Sequence, residues 1–83
     1  MRKVISVRTD PLGKWAIESG QRTFKFLKKE YDFERGDAIA FHCRMNGMDV
    51  LVQGIYEVTK TDYGREGPCA LISFRRIKDY EYK

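Results

Sequence analysis

The hydrophobic pattern changes period several times along the chain, and each change marks an element. Val4-Ile5-Ser6-Val7 is a short β-branched, apolar run between polar residues and predicts a first strand. After Asp10-Pro11 the pattern becomes helical. Leu12, Trp15, Ala16 and Ser19 recur at i, i+3, i+4 and i+7, predicting a short helix from Pro11 to about Ser19 with that face inward. Asp10 is placed to cap the free N–H groups, and Pro11 suits the first turn because its missing N–H would be unpaired anyway. Gly20 ends the helix by taking a left-handed conformation. Gly13 weakens the early turns by about 1 kcal/mol relative to Ala, so this helix needs a sheet beneath it.

Alternation returns at Thr23-Phe24-Lys25-Phe26-Leu27, the second strand. Phe24 and Phe26 share one face; Thr23, Lys25 and Leu27 share the other. Glu30 to Asp37 reads as a loop with a glycine turn. Ala38 to Arg44 alternates as the third strand, with Ile39, Phe41 and Cys43 opposite Ala40, His42 and Arg44. Asn46-Gly47 predicts a two-residue type I′ hairpin, because both residues tolerate positive φ. The returning strand is long, from Asp49 to about Lys60. Val50, Val52, Tyr56 and Val58 are in phase, and Gly54 interrupts them where a bulge or sharp bend is expected. Asp62 to Pro68 is a glycine-containing loop. Cys69 to Arg76 is the last strand, with Ile72 and Phe74 on one face. The tail, Ile77 to Lys83, carries Tyr80 and Tyr82 and reads as an edge extension or a frayed end. Five to six strands, one short N-terminal helix and strong curvature signals predict a mostly β, α+β fold closing into a small barrel.

Length makes this a single domain, residues 1–83, with one modest core. No apolar run reaches the roughly 18 residues of a membrane span, and the N-terminus lacks a signal peptide's apolar stretch. Cys43 and Cys69 are too few for a disulfide scaffold, so free thiols in a reducing cytoplasm are expected. One histidine and two distant cysteines make no metal-ligand pair, and no metal or cofactor is expected.

Charge changes the picture more than composition does. Residues 1–31 hold eight cations and three acids, net +5, whereas residues 32–83 hold eight cations and nine acids, net −1. Arg22, Lys25, Lys28 and Lys29 fall within eight positions. Such asymmetry is the footprint of an anionic partner, usually nucleic acid, although it also serves solubility. Arg22 and Lys25, extended by Lys28 and Lys14, are the candidate phosphate contacts. Trp15 or Tyr63 is the candidate base-stacking residue, and Arg65 would close the site from a loop. The competing reading is a solvated strand face, whose lysines discourage edge pairing, with Trp15 packed inward. His42 and Cys43 are neighbours on a strand and point to opposite faces, so they make no base–nucleophile pair. No catalytic constellation is legible.

At SGQRTF and again at YDFERGD the order of features resembles the ASCH domain of the PUA-like superfamily, over roughly residues 4–76. A strand is followed by a Pro-started helix, then Ser-Gly, a basic residue and Thr. An acidic-aromatic turn follows and ends in Gly-Asp before an apolar strand. The resemblance implies a β-barrel with a flanking helix and a cleft between them. It also implies RNA binding or, in some members, hydrolysis of modified cytidine or RNA. The family signature is approximately Gly-x-Lys-x-x-Glu-x-Arg. Gly20 fits it, but Arg22 stands for the Lys, Lys25 for the Glu and Leu27 for the Arg. In the hydrolase branch a Lys, a nearby Thr and a late-strand Glu carry the chemistry. Thr23 and Glu57 are the nearest counterparts here, and Arg22 stays protonated and is a poor base. The exchanges favour RNA or other nucleic-acid binding without catalysis. The alternatives are a hydrolase of the ASCH kind and a protein-interaction module using the lysine-rich strand.

Overall fold

The computed structural model describes residues 3–77. Its elements in order are β1 (Val4–Thr9), α1 (Pro11–Glu18), β2 (Phe24–Lys28), a 3₁₀ turn (Lys29–Tyr31), β3 (Ala38–Met45), β4 (Met48–Leu51), β5 (Ile55–Asp62) and β6 (Cys69–Ile77). The reading of Tyr80 and Tyr82 as an edge extension or frayed end lies outside the described residues.

All six strands belong to one sheet, ordered β1-β3-β5-β6-β2, with β4 also on β3. β1 runs parallel to β3, and the other pairings are antiparallel. The fold is therefore mostly β with one helix. The ladder does not close into the expected barrel: among the described residues no pairing joins β1 to β2. A side chain spans that gap instead. Lys25 on β2 donates from Nζ to Thr9 Oγ1 on β1 at 2.8 Å, so the sheet curls until its two ends are one lysine apart.

The local signals act as their chemistry requires. Asp10 caps α1 by accepting from the Gly13 N–H at 2.6 Å, and Gly20 takes φ +80 beyond the helix end. Asn46 and Gly47 both have positive φ and join Met45 to its partner Met48. The long returning strand is broken in two. Had the hairpin kept the register of His42 with Leu51, Ile39 would face Gly54. It faces Tyr56 instead, two residues further on, with Gly54 at φ +99 in the break.

One core fills the inside of the curl. It gathers Val7, Ile17, Leu27, Phe33, Ile39, Phe41, Val52, Tyr56, Val58, Ala70, Ile72 and Phe74 from every strand but β4, and from α1. The Phe41, Tyr56 and Phe74 rings meet in tilted and edge-on contacts 5.0–5.8 Å apart. Asp37, only 3% exposed, opens β3. It accepts from the Glu34 N–H at 2.8 Å and faces Lys3 Nζ at 3.8 Å. The acidic turn is thus a structural clasp.

The helix turns a different face inward from the one its large residues predict. Gly13 and Ile17 are buried, while Leu12 is 80% and Trp15 59% exposed. The cause is close approach. A Cβ on Gly13 would lie 2.1 Å from Thr9 Oγ1, so only glycine lets this stripe meet β1. The same absent side chain that weakens an isolated helix permits its docking.

Candidate nucleic-acid interface

β2 starts where the helix end releases the chain. The Arg22 N–H donates to the Ala16 carbonyl at 3.0 Å, and the Thr23 carbonyl accepts from the Phe74 N–H at 2.9 Å, fixing the entry to the strand. Along β2, Leu27 is buried and Lys25 half-buried, so the phase carrying both points into the curl. Phe24 and Phe26 therefore face out, 52% and 51% exposed. Together with Arg22 and Lys25 they line a shallow hollow of about 410 Å³. The Arg65 guanidinium lies 5.2 Å from the Phe26 ring centroid, a cation–π distance.

Lys25 occupies an unusual place for an ammonium. Burial pulls its pKa below the usual lysine value, the charge of Arg22 pulls the same way, and Asp10 opposes both. Its bond to Thr9 Oγ1 holds the amine against β1. Arg22 is exposed at the mouth of the same hollow.

The other candidates are distributed differently. Lys14 is held by Glu18, with Nζ 2.8 and 2.9 Å from the two carboxylate oxygens. Glu18 also accepts from the Gln53 N–H at 2.8 Å, and these bonds, the Lys14 one foremost, lower its pKa. Glu18 is thus the clamp between α1 and the segment after β4, and Lys14 pairs with it on the helix. Trp15 is exposed, against the packing alternative. Lys28 is exposed and borders a second hollow of about 400 Å³ with Glu30, Pro68 and Cys69. Tyr63, expected to be free of packing duty, packs against the core. Its hydroxyl accepts from the Phe33 N–H at 2.6 Å and donates to the Phe33 carbonyl at 3.2 Å. Burial raises its pKa. Arg65 lies in the same loop, 4.0 Å from Asp62, and its carbonyl accepts from Lys29 Nζ.

The structure therefore brings Arg22, Lys25 and Arg65 to the two phenylalanines, and leaves Lys14, Trp15, Lys28 and Tyr63 in other settings. Phe24 and Phe26 were not singled out as binding residues. Their signal was present in the alternation with Lys25, which left open which phase the core would take.

Thr23 and Glu57, the counterparts of hydrolase residues, do not form a site. Thr23 belongs to the phase of Lys25, whereas Glu57 lies on the sheet's outer face, where Arg75 Nη2 approaches its Oε1 at 2.9 Å. His42 Nδ1 lies 3.0 Å from Asp49 Oδ1, on the side of β3 opposite buried Cys43. Among the described residues no group of three or more His, Cys, Asp or Glu side chains is arranged to hold a metal, and no helix is long and apolar enough to cross a membrane. No protein-family model and no curated protein matches the chain.

Proposed function

We propose that the chain is a small ASCH-like, PUA-like domain that binds single-stranded RNA or another nucleic acid without catalysis. The observation that carries this reading is the pair of half-exposed phenylalanines on β2, alternating with a half-buried lysine and flanked by Arg22 and Arg65. Every base has a π-face, so exposed rings on a strand accept bases at about 1–3 kcal/mol each, and interleaved cations track the phosphates. The ASCH-like assignment draws support from the order of elements, from the curled sheet whose ends meet at Lys25 and Thr9, and from α1 packing Ile17 into the core. The free thiols of Cys43 and Cys69 suit a reducing, cytoplasmic setting.

In this reading Arg22 and Lys25 contact phosphate, Phe24 and Phe26 stack, and Arg65 backs Phe26. Trp15 and Lys28 extend the contact. The test is a titration with labelled single-stranded RNA and a matched duplex at low salt. The single strand is expected to bind more tightly, with affinity falling steeply as salt rises. No affinity for any single strand at low salt overturns the reading. In that case a protein captured through β2, and retained after nuclease treatment, would mark an interaction module instead.

A further inference from the structure

We infer that the bound single strand crosses the sheet from β2 over β6 to β5, and that a backbone phosphate seats between Arg35 and Arg75. This rests on the nucleic-acid reading above and extends its footprint to residues which that reading does not use.

The register supplies the path. Cross-strand partners share a face, so Phe24, its partner Ser73 and Ser73's partner Lys60 stand in one row on the outer side of the sheet. Phe26, Leu71 and Asp62 form the next row. Arg75 lies two residues beyond Ser73 on the same face, opposite Glu57. With strands about 4.8 Å apart and a rise of about 3.4 Å per residue, the Arg75 Cα is about 8 Å from that of Phe24. One short extended strand can reach both.

At the end of that path is a hollow of about 300 Å³ lined by Arg35, Gly36, Glu57, Val58, Thr59 and Arg75. Its two arginines stand on firm supports. Arg35 belongs to the turn that Asp37 clasps, and the Gly36 N–H donates to the Val58 carbonyl at 2.8 Å. Arg75 is steadied by Glu57, whose Oε1 accepts from Nε at 3.2 Å and lies 2.9 Å from Nη2. A guanidinium has five N–H donors, so a single carboxylate oxygen leaves most of them for a second acceptor. Thr59 is the extra residue where the β5–β6 register shifts, and it adds an exposed hydroxyl to the rim. Two guanidinium forks and a hydroxyl suit the tetrahedral oxygens of a phosphate better than a flat apolar group. On this part of the face Glu57 and Asp62 are each held by an arginine, while Lys60 adds positive charge along the path.

The experiment measures affinity for a labelled eight-nucleotide oligouridine across a salt series, for the wild type, Arg35→Gln, Arg75→Gln and Glu57→Gln. Each arginine substitution is expected to weaken binding about 3- to 10-fold. Each should also flatten the slope of log affinity against log salt by about 0.7, the value for one phosphate contact on a single strand. Glu57→Gln, which removes a competing carboxylate, is expected to tighten binding. If the wild type binds while both arginine variants keep its affinity and slope, the crossing path is wrong and the β2 surface stands alone. No binding by the wild type overturns the underlying reading and this inference together. Arg35 lies on an exposed turn, so Arg35→Gln decides the question even if Arg75→Gln does not fold.

Discussion

Lys25 Nζ and Thr9 Oγ1, 2.8 Å apart, join the first and last strands of the sheet order. Among the described residues this hydrogen bond bridges the sheet's ends where a closed barrel would have a ladder. Lys25 also lines the hollow with Arg22, Phe24 and Phe26. In the proposed reading, structure and binding therefore share one side chain.

Replacing Lys25 with Met separates the two roles. The change removes a half-buried charge, which favours stability, and leaves Thr9 Oγ1 without that donor, at a cost of about 1 kcal/mol. Unfolding by urea is expected to shift by less than about 1 kcal/mol, whereas RNA affinity falls and its salt slope flattens by about 0.7. The lowered pKa has its own consequence. Because the folded value lies below the unfolded one, the charged amine disfavours the fold, and stability rises as pH rises through the folded pKa towards the unfolded one. Lys25→Met should remove that alkaline rise.

Gly13→Ala tests the docking of α1. Helix propensity alone favours alanine by about 1 kcal/mol. The added Cβ would meet Thr9 Oγ1 at 2.1 Å, and overpacking of this kind costs about 1–3 kcal/mol. The variant is expected to be less stable in chemical denaturation, contrary to the propensity.

Acid should loosen the clamp between α1 and the segment after β4. Glu18 has its pKa lowered chiefly by Lys14 and then by the Gln53 N–H. A depressed carboxylate contributes stability above its unfolded pKa and loses it as pH falls through the folded one. Glu18→Gln should flatten the acid arm of the stability profile below about pH 4.5, near the ordinary glutamate range. Neutral-pH stability should also drop slightly.

Much of the fold was legible because its cues are local. Asp10, Gly20 and Asn46-Gly47 each dictate backbone geometry within a few residues, and the alternation of β3 reports its buried face directly. Gly54 likewise marked the break between β4 and β5. The inward face of α1 was not legible, because Leu12 and Trp15 are larger than Gly13 and Ile17. The choice depended on the core, where Ile17 packs with residues from distant strands while Gly13 lies against Thr9. The same holds for β2. Its two phases are equally patterned, and the core took Lys25 and Leu27 because their partners Ile72 and Ala70 face inward on β6. The packing of Tyr63 was hidden for a similar reason: Phe33, its partner, lies thirty residues away. The open sheet edge was equally beyond reach, since strand pairing across the ends involves no local signal.

The most direct measurement compares single-stranded RNA affinity of the wild type with that of Phe24→Ala and Phe26→Ala, alongside their urea unfolding. Both rings are half exposed on the outer face, so stability should change little. Affinity should fall by about 1–3 kcal/mol for each ring removed. Unchanged affinity in two folded variants, with the wild type binding RNA, would contradict the claim that this surface is where nucleic acid is held.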